Sequence, residues 1–139
     1  MMDIGKDVQV IDQVTGQKRS ACLADETHCA IIISYSGQTE EMLELAEIYH
    51  KRQIPFISIT CMAENSLSRL ADAHLYLSSR EMLHIKIGDF ASTTSLKYLF
   101  DVLYAGIFSK NYKKNLETKI VVASYVDDRQ SEDEYINEK

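Results

Sequence analysis

The sequence predicts an α/β domain, an open and mostly parallel β-sheet with helices on both faces. Three short runs rich in β-branched or apolar residues, HCAIII (28–33), PFISIT (55–60) and HLYLSS (74–79), alternate with stretches of helical spacing. Strand and helix patterns alternating over short connections argue for βαβ units with right-handed crossovers. The chain has 139 residues, 45% of them apolar and 26% charged, with one proline and no low-complexity linker. That is enough for one domain with a real hydrophobic core and gives no sign of a second.

Residues 6–12 (KDVQVID) form a short β-rich run, and residues 14–27 follow with helix formers at Ala21, Leu23 and Ala24. HCAIII is a continuous apolar run of the kind found in parallel strands buried on both faces. Residues 39–53 place Met42, Leu45, Ala46, Ile48 and Tyr49 at helical spacing, acids first and bases last, which suits the helix dipole. Pro55 opens the next buried strand. Asn65 and Ser66 are cap residues for a short helix over 64–73, and HLYLSS is one more strand.

Residues 90–112 then form a long helix with Leu96, Leu99, Phe100, Leu103, Tyr104 and Ile107 along one broad face. It is unusually apolar for a surface helix and is expected to pack into a core or a subunit interface. Residues 116–126 fit a helix or an added strand, and the acid-rich residues after them fit a solvated, frayed tail.

The net charge is −6 and the pI is near 5.2, the wrong sign for a whole-domain nucleic-acid binder. Cys22, Cys29 and Cys61 have no Cys-x-x-Cys spacing and read as reduced thiols, each a small core residue. With no signal peptide and no apolar stretch near 18 residues, the expected location is cytoplasmic, without a membrane. His28, His50 and His74 lack ligand spacing, so no metal site is expected, and no cofactor motif is present.

Chemistry concentrates where HCAIII ends. Ser34, Ser36, Gly37, Gln38 and Thr39 lie at the carboxyl end of a predicted strand and lead into a helix N-terminus, where parallel sheets bind ligands. Free amides and the positive dipole end meet there, the hydroxyls and the Gln38 amide add donors, and Gly37 permits a tight turn. Such a nest suits a phosphate monoester, whereas a hard cation would find no carboxylate in the turn. The plainer alternative is an N-cap from Ser36 or Thr39 with Glu40 or Glu41 in the first turn. A cap needs one hydroxyl; the turn has three. Tyr35 is expected to pack beside the site.

The stretch ISYSGQTEEMLELAEIYHKRQIPFISIT resembles the central motif of SIS (sugar isomerase) domains, whose phosphosugar loop reads Ser-x-Ser-Gly-x-Thr, here Ser34, Ser36, Gly37 and Thr39. NSLSRLADAHLYL follows in the same order, and SREMLHIKIGDFASTTSLKYLFDVLYAGIF resembles the C-terminal part of RpiR-type transcriptional regulators. The likeness covers residues 1–112 and leaves 113–139 as an extension, partly disordered. It implies a Rossmann-like three-layer domain that binds a sugar phosphate through Ser34, Ser36, Gly37, Gln38 and Thr39, with Glu81 reading the sugar. It also implies a homodimer or higher homo-oligomer. The family pattern opens with a first strand, a Gly-x-Gly-x-Ser turn and, in the regulators, a helix-turn-helix. None precedes Met1-Met2-Asp3, so the chain is expected to be N-terminally truncated, without direct nucleic-acid contact and with an open sheet edge.

Three roles follow from the resemblance. A non-enzymatic phosphosugar sensor of an RpiR-type regulator ranks first. A sugar-phosphate isomerase would need a base, for which Glu81 and His84 are candidates; each also reads as an ordinary solvated or helix-start residue. A degenerate domain that only dimerises is the third.

Overall fold

The computed structural model describes residues 2–61, 64–78 and 88–126. Three strands, β1 (Ala30–Ile33), β2 (Phe56–Cys61) and β3 (Ala73–Leu77), form a parallel sheet in the order β1-β2-β3. Ile32 aligns with Ser58, and Ser58 in turn with His74. Helices α1 (Val14–Leu23), α2 (Glu40–Lys51) and α3 (Ser66–Leu70) connect and flank the strands, followed by α4 (Phe90–Lys110) and α5 (Tyr112–Val126). The predicted α/β class and parallel sheet are what the chain forms.

The core explains the pattern. Ala21 and Ala24 from the α1 region, Leu45, Ala46 and Tyr49 from α2, Leu67 from α3, and Ile32 and Phe56 from the sheet make one buried cluster. Small residues on α1 and at Ala46 let helices approach, and Tyr49 meets Phe56 with ring centroids 6.2 Å apart. Full burial of Phe56, Ile59 and Leu67 is worth about 2 kcal/mol each. Burial also raises the Tyr49 hydroxyl above its ordinary pKa.

Contacts divide the chain into a larger unit within residues 10–101 and a smaller one that joins the first nine residues to those from 102 onward. In the smaller unit a 3-10 turn (Met2–Ile4) buries Ile4 and packs with α5. Asn115 there donates its side-chain amide to the carbonyls of Ile107 and Phe108, satisfying late α4 acceptors.

Several expectations need correction. Residues 6–12 pair with no strand among the described residues, and Val10 is 93% exposed. A β-rich run without a partner ladder has nothing to hold it as a strand. β1 is not buried on both faces: Ile32 is buried, Ala30 and Ile31 are half-buried and Ile33 is exposed. Cys22 and Cys29 are exposed and Cys61 is half-buried, so the thiols are not core residues. On α1 the inward position belongs to Ala21, which turns its neighbour Cys22 outward. Residues 116–126 resolve as helix, as the continuation of α5. The acid-rich tail, with Glu81 and His84, lies outside the described residues.

Candidate functional site

The Ser-rich turn sits between β1 and α2, at the carboxyl end of the sheet, and the sheet itself fixes its start. The Ser34 amide donates to the Ile59 carbonyl (3.1 Å), and Cys61 N–H donates to the Tyr35 carbonyl (2.8 Å). β2 therefore holds the backbone of the turn for two residues past β1.

Ser34 is buried and its hydroxyl works inward. Its Oγ accepts from the Gly37 amide at 3.2 Å and lies 3.2 Å from Thr39 Oγ1. Gly37 is also buried, with φ of 64°, a conformation that disfavours any residue with a Cβ. A Cβ there would stand 2.0 Å from Asn65 Oδ1. Ser36 Oγ accepts from the Gln38 amide at 3.2 Å, a local Ser turn. Ser36 is half-buried, while Gln38 and Thr39 are exposed. The structure thus brings Ser34, Ser36, Gly37, Gln38 and Thr39 into one turn, with the first and third facing the protein and the others accessible.

Thr39 occupies the N-cap position of α2 in an extended conformation, yet its side chain makes no cap hydrogen bond. Its carbonyl accepts from Met42 (3.0 Å) and Leu43 (3.1 Å), as a helix start requires. Among the described residues none accepts from the amides of Thr39, Glu40 or Glu41. The contrast with α3 is direct. That five-residue helix has a complete capping box, Asn65 Oδ1 accepting from Ser68 N (2.9 Å) and Ser68 Oγ accepting from Asn65 N (3.0 Å). A turn with three hydroxyls leaves its twelve-residue helix uncapped by side chains.

Electrostatics set the limits of the turn. No Lys or Arg lies within residues 34–41, and Glu40 and Glu41 stand in the first turn of α2. The positive pole of the helix is equivalent to about half an elementary charge. An anion held here would depend on directed N–H and O–H donors rather than on a cation. Lys18 is committed elsewhere, paired with Glu44, which raises the lysine's pKa. Among the described residues no cluster of three His, Cys, Asp or Glu could hold a metal ion, and no helix is long and apolar enough to cross a membrane.

Two residues that sequence reasoning treated only as caps belong to this site. Asn65 packs against Gly37 and donates through Nδ2 to Thr60 Oγ1 (2.7 Å), while Ser66 Oγ donates to Gln38 Oε1 (2.9 Å). The Leu67 amide adds a bond to the Gly37 carbonyl (3.1 Å). The signal was topological: if β1 and β2 are parallel neighbours, the turns after them meet at one edge.

Residues 1–104 match the SIS domain model. The chain is 31% identical over 90 residues to the uncharacterized HTH-type transcriptional regulator YbbH of Bacillus subtilis, covering 65% of this chain and 32% of that one. It is 32% identical over 74 residues to the arabinose 5-phosphate isomerase KdsD of Escherichia coli K12, covering 52% and 23%. The Vibrio vulnificus NanR protein, solved in complex with ManNAc-6P, superposes with a TM-score of 0.78 at 25% identity over 92% of this chain and 49% of that chain. The chain spans about a third of the length of the curated regulators it matches.

Proposed function

The chain belongs to the SIS-domain family, and from that premise we propose that it is the phosphosugar-binding sensor module of an RpiR-type transcriptional regulator, without enzymatic activity of its own. The observation that carries the reading is the uncapped start of α2. Ser36 Oγ, the Gln38 side-chain amide and the amides of Thr39, Glu40 and Glu41 offer donors with no acceptor among the described residues, and Thr39 Oγ1, hydrogen-bonded to Ser34 Oγ at 3.2 Å, stands beside them. A phosphate monoester accepts from all of these without requiring a lysine. Ser34 and Gly37 shape the cradle from beneath.

In this reading the sugar is distinguished by Glu81 and by residues of a neighbouring subunit in a homodimer or larger homo-oligomer. Ligand that binds one subunit arrangement better shifts the population toward it. The chain acts in the cytoplasm and touches no nucleic acid itself, in keeping with its net charge of −6. The complexed ManNAc-6P of NanR and the regulator identity of YbbH support this assignment.

Calorimetric titration with hexose and amino-sugar 6-phosphates, ManNAc-6P included, tests it. At least one is expected to bind, and a Ser36→Ala, Thr39→Ala double variant to bind it at least tenfold more weakly, each lost hydrogen bond to a charged group being worth roughly 1.5–3 kcal/mol. Binding by no member, or unchanged binding in the double variant, rejects the assignment and favours a domain that only associates. The similarity to KdsD supports an isomerase as the second reading. Turnover of arabinose 5-phosphate that vanishes in Glu81→Gln would establish it over the sensor.

A further inference from the structure

We infer that Ser66 is a positioning residue for the anion site: by hydrogen-bonding the Gln38 carboxamide it restrains that side chain beside the Ser-rich turn, where the amide N–H groups are available to a bound phosphate. This rests on the anion-site reading above and adds to it a residue outside the Ser-rich turn.

A glutamine amide carries an acceptor at one end and two donors at the other. In a site without a cation, the wrong end toward phosphate replaces an attraction with a repulsion between oxygens. Gln38 is exposed, and a free side chain of this length samples several rotamers. Ser66 Oγ donates to Gln38 Oε1 at 2.9 Å, across 28 residues of sequence. That bond engages Oε1 and leaves Nε2 without a partner among the described residues.

Ser66 is itself held in place. Its predecessor Asn65 is buried, makes the capping box of α3 and stands against Gly37; its successor Leu67 is fully buried and donates from its amide to the Gly37 carbonyl (3.1 Å). Two of the three links between α3 and the turn therefore fix the backbone of the turn. The third joins two side chains at the surface, where a hydrogen bond adds little to folding. Its evident consequence is orientation of the amide.

Titration of the wild type and of variants with inorganic phosphate and with a hexose 6-phosphate tests this. Ser66→Ala is expected to weaken binding of both about five- to tenfold with an unchanged melting temperature, and Ser66→Thr, which keeps a hydroxyl, to restore it. In a Gln38→Ala background, Ser66→Ala is expected to add no further loss. Gln38→Glu retains an acceptor for Ser66 but removes the outward donor, and is expected to bind more weakly than Gln38→Ala. In the free protein, Ser66→Ala is expected to increase the mobility of the Gln38 side-chain amide by NMR relaxation. If the wild type binds and Ser66→Ala binds equally well, or loses affinity equally with and without Gln38, the positioning role is wrong while the anion site stands. A wild type that binds neither probe overturns the site and this role with it.

Discussion

At Gly37 two independent constraints meet on one atom that is not there. The backbone φ of 64° penalises any Cβ, and the space a Cβ would take is already held by the Asn65 carboxamide at 2.0 Å. That carboxamide cannot retreat freely, since it accepts from Ser68 N and donates to buried Thr60. Gly37→Ala is therefore expected to destabilise the protein by about 2–4 kcal/mol, the sum of backbone strain and overpacking. Combining it with Asn65→Ala should not restore stability, because the strain remains and the cap is lost, at about 1 kcal/mol. Urea unfolding measures both; wild-type stability in Gly37→Ala would remove the packing account of the turn. Gly37 was legible in the sequence as a tight-turn residue, but its contact with Asn65 was not, because no local pattern links residues 28 positions apart.

Strands and helices were read best where their own periodicity decided them. The core face of α2, the capped start of α3 and the long apolar α4 follow from spacing and cap chemistry alone. Residues 6–12 failed because a strand needs a neighbour, which β propensity cannot supply. The pairing of β2 with β3 adds a pH dependence that no sequence pattern showed. Ser58 Oγ lies 2.7 Å from His74 Nδ1, Tyr76 stacks edge-on to the imidazole at 4.1 Å, and Nε2 is buried without a partner among the described residues. Burial lowers the pKa of His74 below its ordinary 6.5, so the native state binds fewer protons here than the unfolded chain. Stability from this group is present above pH 6.5 and is lost as pH falls through the native value. Asp25 does not confuse the window: hydrogen bonds from Thr27, then from His28, hold it at about 2, so its contribution fades only in stronger acid. Urea midpoints measured from pH 7.5 to 5 should fall for the wild type and flatten for His74→Gln. Equal slopes would mean that His74 titrates normally.

For the molecule as a whole, the proposed sensor reading predicts a second subunit, and exposed apolar residues are the predicted contact. Single exposed hydrophobics are ordinary. In the smaller unit they recur on two successive helices: Val102 (50% exposed) on α4, and Ile120 (58%), Val121 (55%) and Tyr125 (86%) on α5. The α4 sequence is apolar around much of its circumference, yet Ser92 is its one buried residue, which leaves its apolar side chains open to a partner. The other edge of β1, which pairs with no strand but β2 among the described residues and carries Ile33 at 40% exposure, is the competing contact, since such an edge also invites association. Sedimentation velocity separates them. The wild type is expected to self-associate at micromolar concentration, a Val102→Glu, Ile120→Glu variant to be monomeric, and Ile33→Lys to behave as wild type. If Ile33→Lys alone dissociates the assembly, the sheet edge is the interface; if the wild type stays monomeric at every concentration, a signal carried between subunits is ruled out for this chain. A sugar phosphate that binds the turn should then shift the association constant of the wild type but not of the Ser36→Ala, Thr39→Ala variant, because a ligand moves an assembly equilibrium only by its difference in affinity for the two states.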